Sequence, residues 1–267
     1  MKLSGNTDKQ TARILAIETS TELLGVALVD DTGIRCEFTA VEPMIHSKML
    51  LPLSKHALET VGWAPHDLDC LAVSGGPGSF TGLRIGFAMA QGLGFALDKP
   101  IAKVPTFEVY LRQCSPYPRV GIVQGRARSQ TVCALYEKAV PEVSHGGQAS
   151  GTQSGFNEIV PLTAMGSNEF LDYLVDYLGD TASLPVWIAG DAADQFAAMA
   201  GEAGIECVRT VDSHLRLPAP GVLGLIGVEM FLEGKAVSAS SALPDYYRKS
   251  QAEVVFACKT KKGDRGD

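Results

Sequence analysis

One stretch constrains the fold of this 267-residue chain more than any other: Val73-Ser74-Gly75-Gly76-Pro77-Gly78-Ser79-Phe80-Thr81-Gly82-Leu83-Arg84. A short apolar run, Cys70 to Ser74, enters a glycine-rich turn. Beyond it Leu83, Phe87, Ala90 and Leu97 recur at helical spacing. A buried strand that turns sharply into a long helix is the unit from which α/β folds are built. The N–H groups and dipole at such a helix start suit an anion, so Gly75, Gly76, Gly78, Ser79 and Thr81 are candidates for an anion-binding loop. No lysine follows a glycine at the P-loop offset, and the third glycine of the dinucleotide fingerprint is missing. A tight turn with Ser79 or Thr81 as helix N-cap is the equally open alternative.

The flanking pattern extends the unit. Arg13 to Glu18, Leu23 to Val29 and Gly33 to Ala40 read as three consecutive strands. A helix over 47–61 then stops at Gly62, with Pro52 expected in its first turn. Ile101 to Val104 is a further strand, and a short helix starts at Thr106. The second half repeats the theme more weakly. Arg119 to Val123 and Thr131 to Tyr136 are paired strands, and Pro141 to Asn157 a Gly/Ser-rich loop. Then come helix Glu169 to Leu178, strand Val186 to Ala189, helix Ala192 to Ala203, strand Ile205 to Arg209 and a last helix Gly221 to Leu232. A prior of roughly 150 residues per domain gives two modest domains or one large one.

Composition narrows the function classes. With 46% hydrophobic and 20% charged residues the chain is an ordinary globular protein. Its 23 Lys and Arg against 30 Asp and Glu leave a net charge of −7, which builds no broad positive field for a phosphate backbone. The cysteines at 36, 70, 114, 133, 207 and 258 form no C-x-x-C pair. The apolar run Ile14 to Ile17 is cut short by Glu18. Phe80 to Leu97 is interrupted by Arg84 and Gln91, short of the roughly 18 apolar residues that a membrane span needs. A cytoplasmic protein without a membrane partner is the expectation.

Other features each carry two readings. Gly82, Gly86, Ala90 and Gly94 lay a ridge with almost no side chains along one helix, for close packing on the chain's own sheet or on another protein's helix. Ala72 to Gly76 approximates a nucleophile elbow at Ser74, with Asp191 and His214 following in α/β-hydrolase order, but Pro77 and Gly78 stand where its helix should begin. His46, His56, His66, His145 and His214 never fall four residues apart, so no metal site is expected. Glu18 ends its strand where sheet proteins often bind ligands, or is a turn residue. The terminal Lys259, Lys261, Lys262 and Arg265 read as part of a solvated tail.

Taken together, Ile14-Leu15-Ala16-Ile17-Glu18-Thr19-Ser20-Thr21, His46-Ser47-Lys48, the Ser74 to Gly86 segment and Pro244-Asp245-Tyr246-Tyr247-Arg248 resemble the TsaB family, also called YeaZ. The resemblance is strong over 13–112, moderate over 185–250 and weak between. It implies the α/β actin-like ATPase (ASKHA) fold, two ribonuclease-H-like domains with mixed sheets flanked by helices. The implied division is a disordered extension at 1–12, a first domain at 13–112, a second at 113–218, a C-terminal helix and closing segment at 219–250, and a flexible tail at 251–267.

The resemblance further implies a non-catalytic scaffold subunit that works with TsaD and the ATPase TsaE in threonylcarbamoylation of adenosine in the anticodon loop of tRNAs reading codons that start with A. TsaD carries a metal-holding histidine pair after the strand that follows the glycine-rich helix. The corresponding Val104-Pro105-Thr106-Phe107-Glu108-Val109-Tyr110 has none, so no catalytic residue, metal or cofactor of the chain's own is expected. A nucleotide at the partner interface, tRNA contact only through the complex, and a homodimer when TsaD is absent complete the implied picture. Helix pairing with TsaD makes His46, Leu50, Leu51, Ser54, Gly82, Arg84, Gly86, Ala90 and Gly94 interface candidates. Relatives usually carry Asp-Ala-Arg where this chain has Gln124-Gly125-Arg126, and a glycine where it has Ala192. A hydrolase or phosphotransferase active on its own is the alternative.

Overall fold

Strands that are apolar at every position must be covered on both faces, and β1 (Ile14–Glu18) is buried at all five residues. It sits at the centre of a sheet. The computed structural model describes residues 11–42, 44–125, 131–139, 155–179 and 184–247. The expected terminal tail, and nearly all of the expected N-terminal extension and Pro141 to Asn157 loop, lie outside those residues.

Antiparallel β2 (Leu23–Asp30) and β3 (Gly33–Val41) extend the sheet on one side of β1. Parallel β4 (Cys70–Gly76) and β5 (Ile101–Pro105) extend it on the other, giving the order β3-β2-β1-β4-β5. Helices α1 (His46–Val61) and α2 (Phe80–Leu97) cover one face, where Leu50, Ala57, Phe87 and Ala90 pack on Leu15, Ile17, Leu24 and Val73. After α3 (Thr106–Gln113), a second sheet repeats the plan. Here β6 (Arg119–Gln124) pairs antiparallel with β7 (Thr131–Lys138), and β7 pairs with β8 (Phe156–Met165). Helix α4 (Ser167–Leu178), parallel β9 (Val186–Ala189), α5 (Ala193–Glu202) and β10 (Val208–Thr210) complete the order β10-β9-β6-β7-β8. Numbered from its own first strand, each sheet has the order third, second, first, fourth, fifth. The α/β expectation of two mixed sheets flanked by helices therefore holds.

The last helix, α6 (Pro220–Leu232), returns to the open face of the first sheet, where Leu223 and Ile226 meet Ile14, Ala16, Ala72 and Val104. Its glycines set the distance: a Cβ on Gly224 would lie 2.4 Å from Val29 Cγ2, and one on Gly227 2.5 Å from Ala72 Cβ. Arg112 of α3 pins α6 through a two-pronged ion pair with Glu229, at 2.5 and 2.8 Å.

Three local expectations need correction. Strand β8 occupies residues expected to be loop up to 157 and unassigned beyond. Its alternation is broken because Pro161 cannot join the ladder, and the register with β7 shifts on both sides of Leu135. Helix α1 begins at His46, with Lys48 and Met49 N–H donating to the Ile45 carbonyl, so Pro52 lies inside the helix on an exposed face. Strand β10 is shorter and later than expected, covering Val208 to Thr210.

Candidate functional site

The β1–β2 turn and the glycine turn after β4 grip each other. Thr19 Oγ1 donates to the Gly82 carbonyl at 2.8 Å, and Ser79 N–H donates to the Ser20 carbonyl at 2.6 Å. Ser79 is the N-cap of α2, its Oγ accepting from Gly82 N–H at 3.3 Å. Close approach accounts for the glycines. A Cβ on Gly78 would sit 2.7 Å from Ser20, and one on Gly82 2.0 Å from the Thr19 carbonyl oxygen. One on Gly76, whose φ is +112°, would sit 2.4 Å from the Asp245 carbonyl oxygen. Of the five anion-loop candidates, Gly75, Gly76 and Gly78 are thus engaged by the chain's own turns and C-terminal segment. Ser79 and Thr81 line a cavity.

Beneath this clasp lies Glu18, fully buried at the end of β1. One carboxylate oxygen accepts from the Ser20 N–H and hydroxyl, both at 2.6 Å, and the other from the Ser74 hydroxyl. Burial lifts its pKa from 4.5 to about 7, against the pull of those hydrogen bonds. Ser74, the nucleophile of the hydrolase alternative, is completely buried, with its hydroxyl donating to that carboxylate.

The interface candidates divide. Leu50, Ser54, Gly82, Gly86, Ala90 and Gly94 are buried within the chain. A Cβ on Gly86 would meet Thr19 Oγ1 at 2.4 Å, and one on Gly94 would meet Ala239 Cβ at 2.9 Å. The small-residue ridge therefore faces the chain's own core. Leu51 and Arg84 are exposed and His46 is half-buried, its Nε2 lying 3.3 Å from the Leu23 carbonyl oxygen. Met44, 88% exposed, and Met49 are further exposed apolar side chains in this part of the chain.

An open cavity of about 600 Å³ runs from the clasp to the second sheet, bringing together Thr21, Glu22, His46, Ser79 and Thr81 with Gln124, Gly125 and Asp191. Asp191 Oδ1 accepts from Gly125 N–H at 2.7 Å and Ala192 N–H donates to the Val123 carbonyl at 3.3 Å, so the two stretches that depart from the family pattern lie side by side. Arg126 lies outside the described residues. Sequence reasoning missed three buried polar groups near this seam: among the described residues, the hydroxyls of Thr106 and Tyr110 and both amide atoms of Gln124 have no hydrogen-bond partner. The only sequence signal for Gln124 was its departure from the family's aspartate. Among the described residues, no three His, Cys, Asp or Glu side chains cluster to hold a metal, and no helix is long and apolar enough to cross a membrane.

The family model for TsaD, tRNA N6-adenosine threonylcarbamoyltransferase, matches residues 41–146. The tRNA threonylcarbamoyladenosine biosynthesis protein TsaB of Escherichia coli K12 is 30% identical over 244 residues, which cover 90% of this chain and 96% of that protein. The chain belongs to the TsaB family. The TsaB of Bacillus subtilis 168 is 27% identical over 247 residues, again covering 90% and 96%. A tRNA N6-adenosine threonylcarbamoyltransferase of Thermus thermophilus is 31% identical over only 118 residues, 39% of this chain and 36% of the transferase. The solved structure of YeaZ from Pseudomonas aeruginosa superposes with a TM-score of 0.65 at 23% identity, covering 88% of this chain and 99% of that one. A second Pseudomonas aeruginosa structure, an uncharacterized protein with similarity to peptidase YEAZ, gives 0.67 at 24%, covering 89% and 100%. The TsaB closing segment has a clear structural task here. Asp245 N–H donates to the Gly75 carbonyl at 2.8 Å, its carboxylate pairs with Lys103 at 2.9 Å, and the Tyr246 ring lies 4.5 Å from that of Phe80. The segment straps the glycine turn from outside.

Proposed function

We propose that this chain is a non-catalytic scaffold of tRNA threonylcarbamoyladenosine synthesis. It holds a TsaD-type transferase in an active arrangement, and works with a TsaE-type ATPase to modify the adenosine of tRNAs reading codons that start with A. Family membership over nine tenths of the chain carries the reading. The burial of Ser74 supports it against the hydrolase alternative. The acidic net charge suits a subunit that meets tRNA through its partner, in the cytoplasm. Partner contact falls on the segment entering α1, on α1 and on the start of α2: Met44, His46, Met49, Leu51 and Arg84, with a copy of this chain on the same surface when TsaD is absent. A nucleotide, if the assembly uses one, belongs at that partner interface.

The test is reconstitution of tRNA, ATP, threonylcarbamoyl-adenylate, TsaD and TsaE with and without this chain. Modification collapses on omission; undiminished modification ends the proposal. Leu51→Glu weakens the heterodimer about tenfold or more, equivalent to roughly 1.4 kcal/mol, while leaving the melting temperature unchanged.

A further inference from the structure

A second cavity, of about 370 Å³, lies where the start of α3, the β7–β8 pair and the C-terminal strap meet, and it shares no lining residue with the larger cavity. Its volume falls within the roughly 300–1,000 Å³ of small-molecule sites. Aromatic side chains dominate the lining. Phe107 and Tyr136 are 4% and 5% exposed and so are held in place by the core, whereas Tyr247 of the strap is 43% exposed. The carboxylates of Glu108 and Glu158 join them, and no Lys, Arg or His lies among the described residues of the lining.

Rings and carboxylates together select a cation, because the face of an aromatic ring is itself electronegative. The phenols register that field. Burial pushes the Tyr136 phenol up, and the charges of Glu158 and Glu108 push it further; Tyr247 rises through burial, then Asp245 and Glu158.

Hydrogen bonding decides the kind of cation. Glu158 Oε1 already accepts from the Tyr136 phenol at 3.4 Å and from the Leu162 N–H at 3.1 Å. A primary ammonium or a guanidinium that leaves water brings N–H donors that each need an acceptor. A fully methylated ammonium brings none, and needs only ring faces and a negative charge close by.

We propose that this pocket binds a small quaternary ammonium compound of the choline kind, its methylated head against Tyr247, Tyr136 and Phe107, with Glu158 and Glu108 supplying the counter-charge. The site needs only this chain and does not rest on the scaffold reading.

Calorimetric titration of the full chain with choline, with its neutral analogue in which carbon replaces the nitrogen, and with ethanolamine tests it. Choline binds saturably, with a Kd of about 1 mM or below. The neutral analogue and ethanolamine each bind at least about fivefold more weakly. Tyr247→Leu and Glu158→Gln each lower choline affinity about threefold or more with the melting temperature unchanged, and Tyr247→Phe, which keeps a ring, retains it. Absence of saturable choline binding, or equal binding of the neutral analogue, overturns the proposal. Ethanolamine binding as tightly as choline would make the pocket a site for a lysine-like head and overturns it too. So does full choline affinity in both Tyr247→Leu and Glu158→Gln, or a loss accompanied in both by a lowered melting temperature.

Discussion

The Ser74 hydroxyl donates to the Glu18 carboxylate between two neighbouring parallel strands, β4 and β1. Glu18 is the residue at which the β1–β2 turn departs, and Ser74 precedes the glycine turn. This buried hydrogen bond therefore joins the bases of the two turns that wall the cleft, beneath the Thr19–Gly82 and Ser79–Ser20 contacts.

Glu18 makes stability depend on pH. Its folded-state pKa, about 7, lies above the ordinary 4.5 because burial outweighs its hydrogen bonds. The folded chain therefore binds more protons than the unfolded one between those values, and stability present below about pH 4.5 is lost as pH rises through 7, by on the order of 3 kcal/mol. Urea unfolding at pH 5 and pH 8 shows that loss in the wild type. Glu18→Gln, which keeps the shape of the neutral acid, removes most of it; an unchanged difference would show that Glu18 does not titrate in this range.

Gly82→Ala and Gly92→Ala act in opposite directions though they lie on the same helix. A Cβ at Gly82 meets the Thr19 carbonyl oxygen at 2.0 Å, backbone that cannot yield without opening the clasp, whereas a Cβ at Gly92 meets nothing within 4 Å among the described residues. Gly82→Ala destabilises by roughly 2 kcal/mol or more through overpacking. Gly92→Ala stabilises by up to about 1 kcal/mol through helix propensity. Thermal unfolding of both variants distinguishes the signs.

Gly76→Ala dislodges the C-terminal strap. Its φ of +112° disfavours any side chain, and the new methyl would overlap the Asp245 carbonyl oxygen. Limited proteolysis reads this directly, with faster cleavage near Leu243 than in the wild type. Tyr246→Ala, which removes the ring beside Phe80, gives a weaker effect of the same kind.

Arg112→Lys separates charge from geometry at the junction of α3 and α6. The guanidinium meets both oxygens of Glu229, an arrangement that an ammonium cannot reproduce. Both side chains are partly in water, at 29% and 45% exposed. The loss is therefore no more than about 1 kcal/mol and shrinks with added salt, measured by denaturation at low and high ionic strength.

Local chemistry written along the chain determined the alternation of strands and helices and the strand-to-helix turn, and narrowed its cap to Ser79 or Thr81, because each depends on residues within a few positions of one another. It also showed that Gly82, Gly86, Ala90 and Gly94 share a face. What that face meets was decided only in three dimensions: Thr19, 63 residues from Gly82, and Ala239 of the closing segment fill it. Strand β8 stayed hidden because Pro161 breaks the alternation that periodicity relies on. Gln124 fell just past the expected strand Arg119 to Val123, and only the fold showed that it is buried with no hydrogen-bond partner for its amide among the described residues. Helical and strand periods report which residues point together, whereas desolvation and steric contact are set by segments distant in sequence, and those leave no period to read.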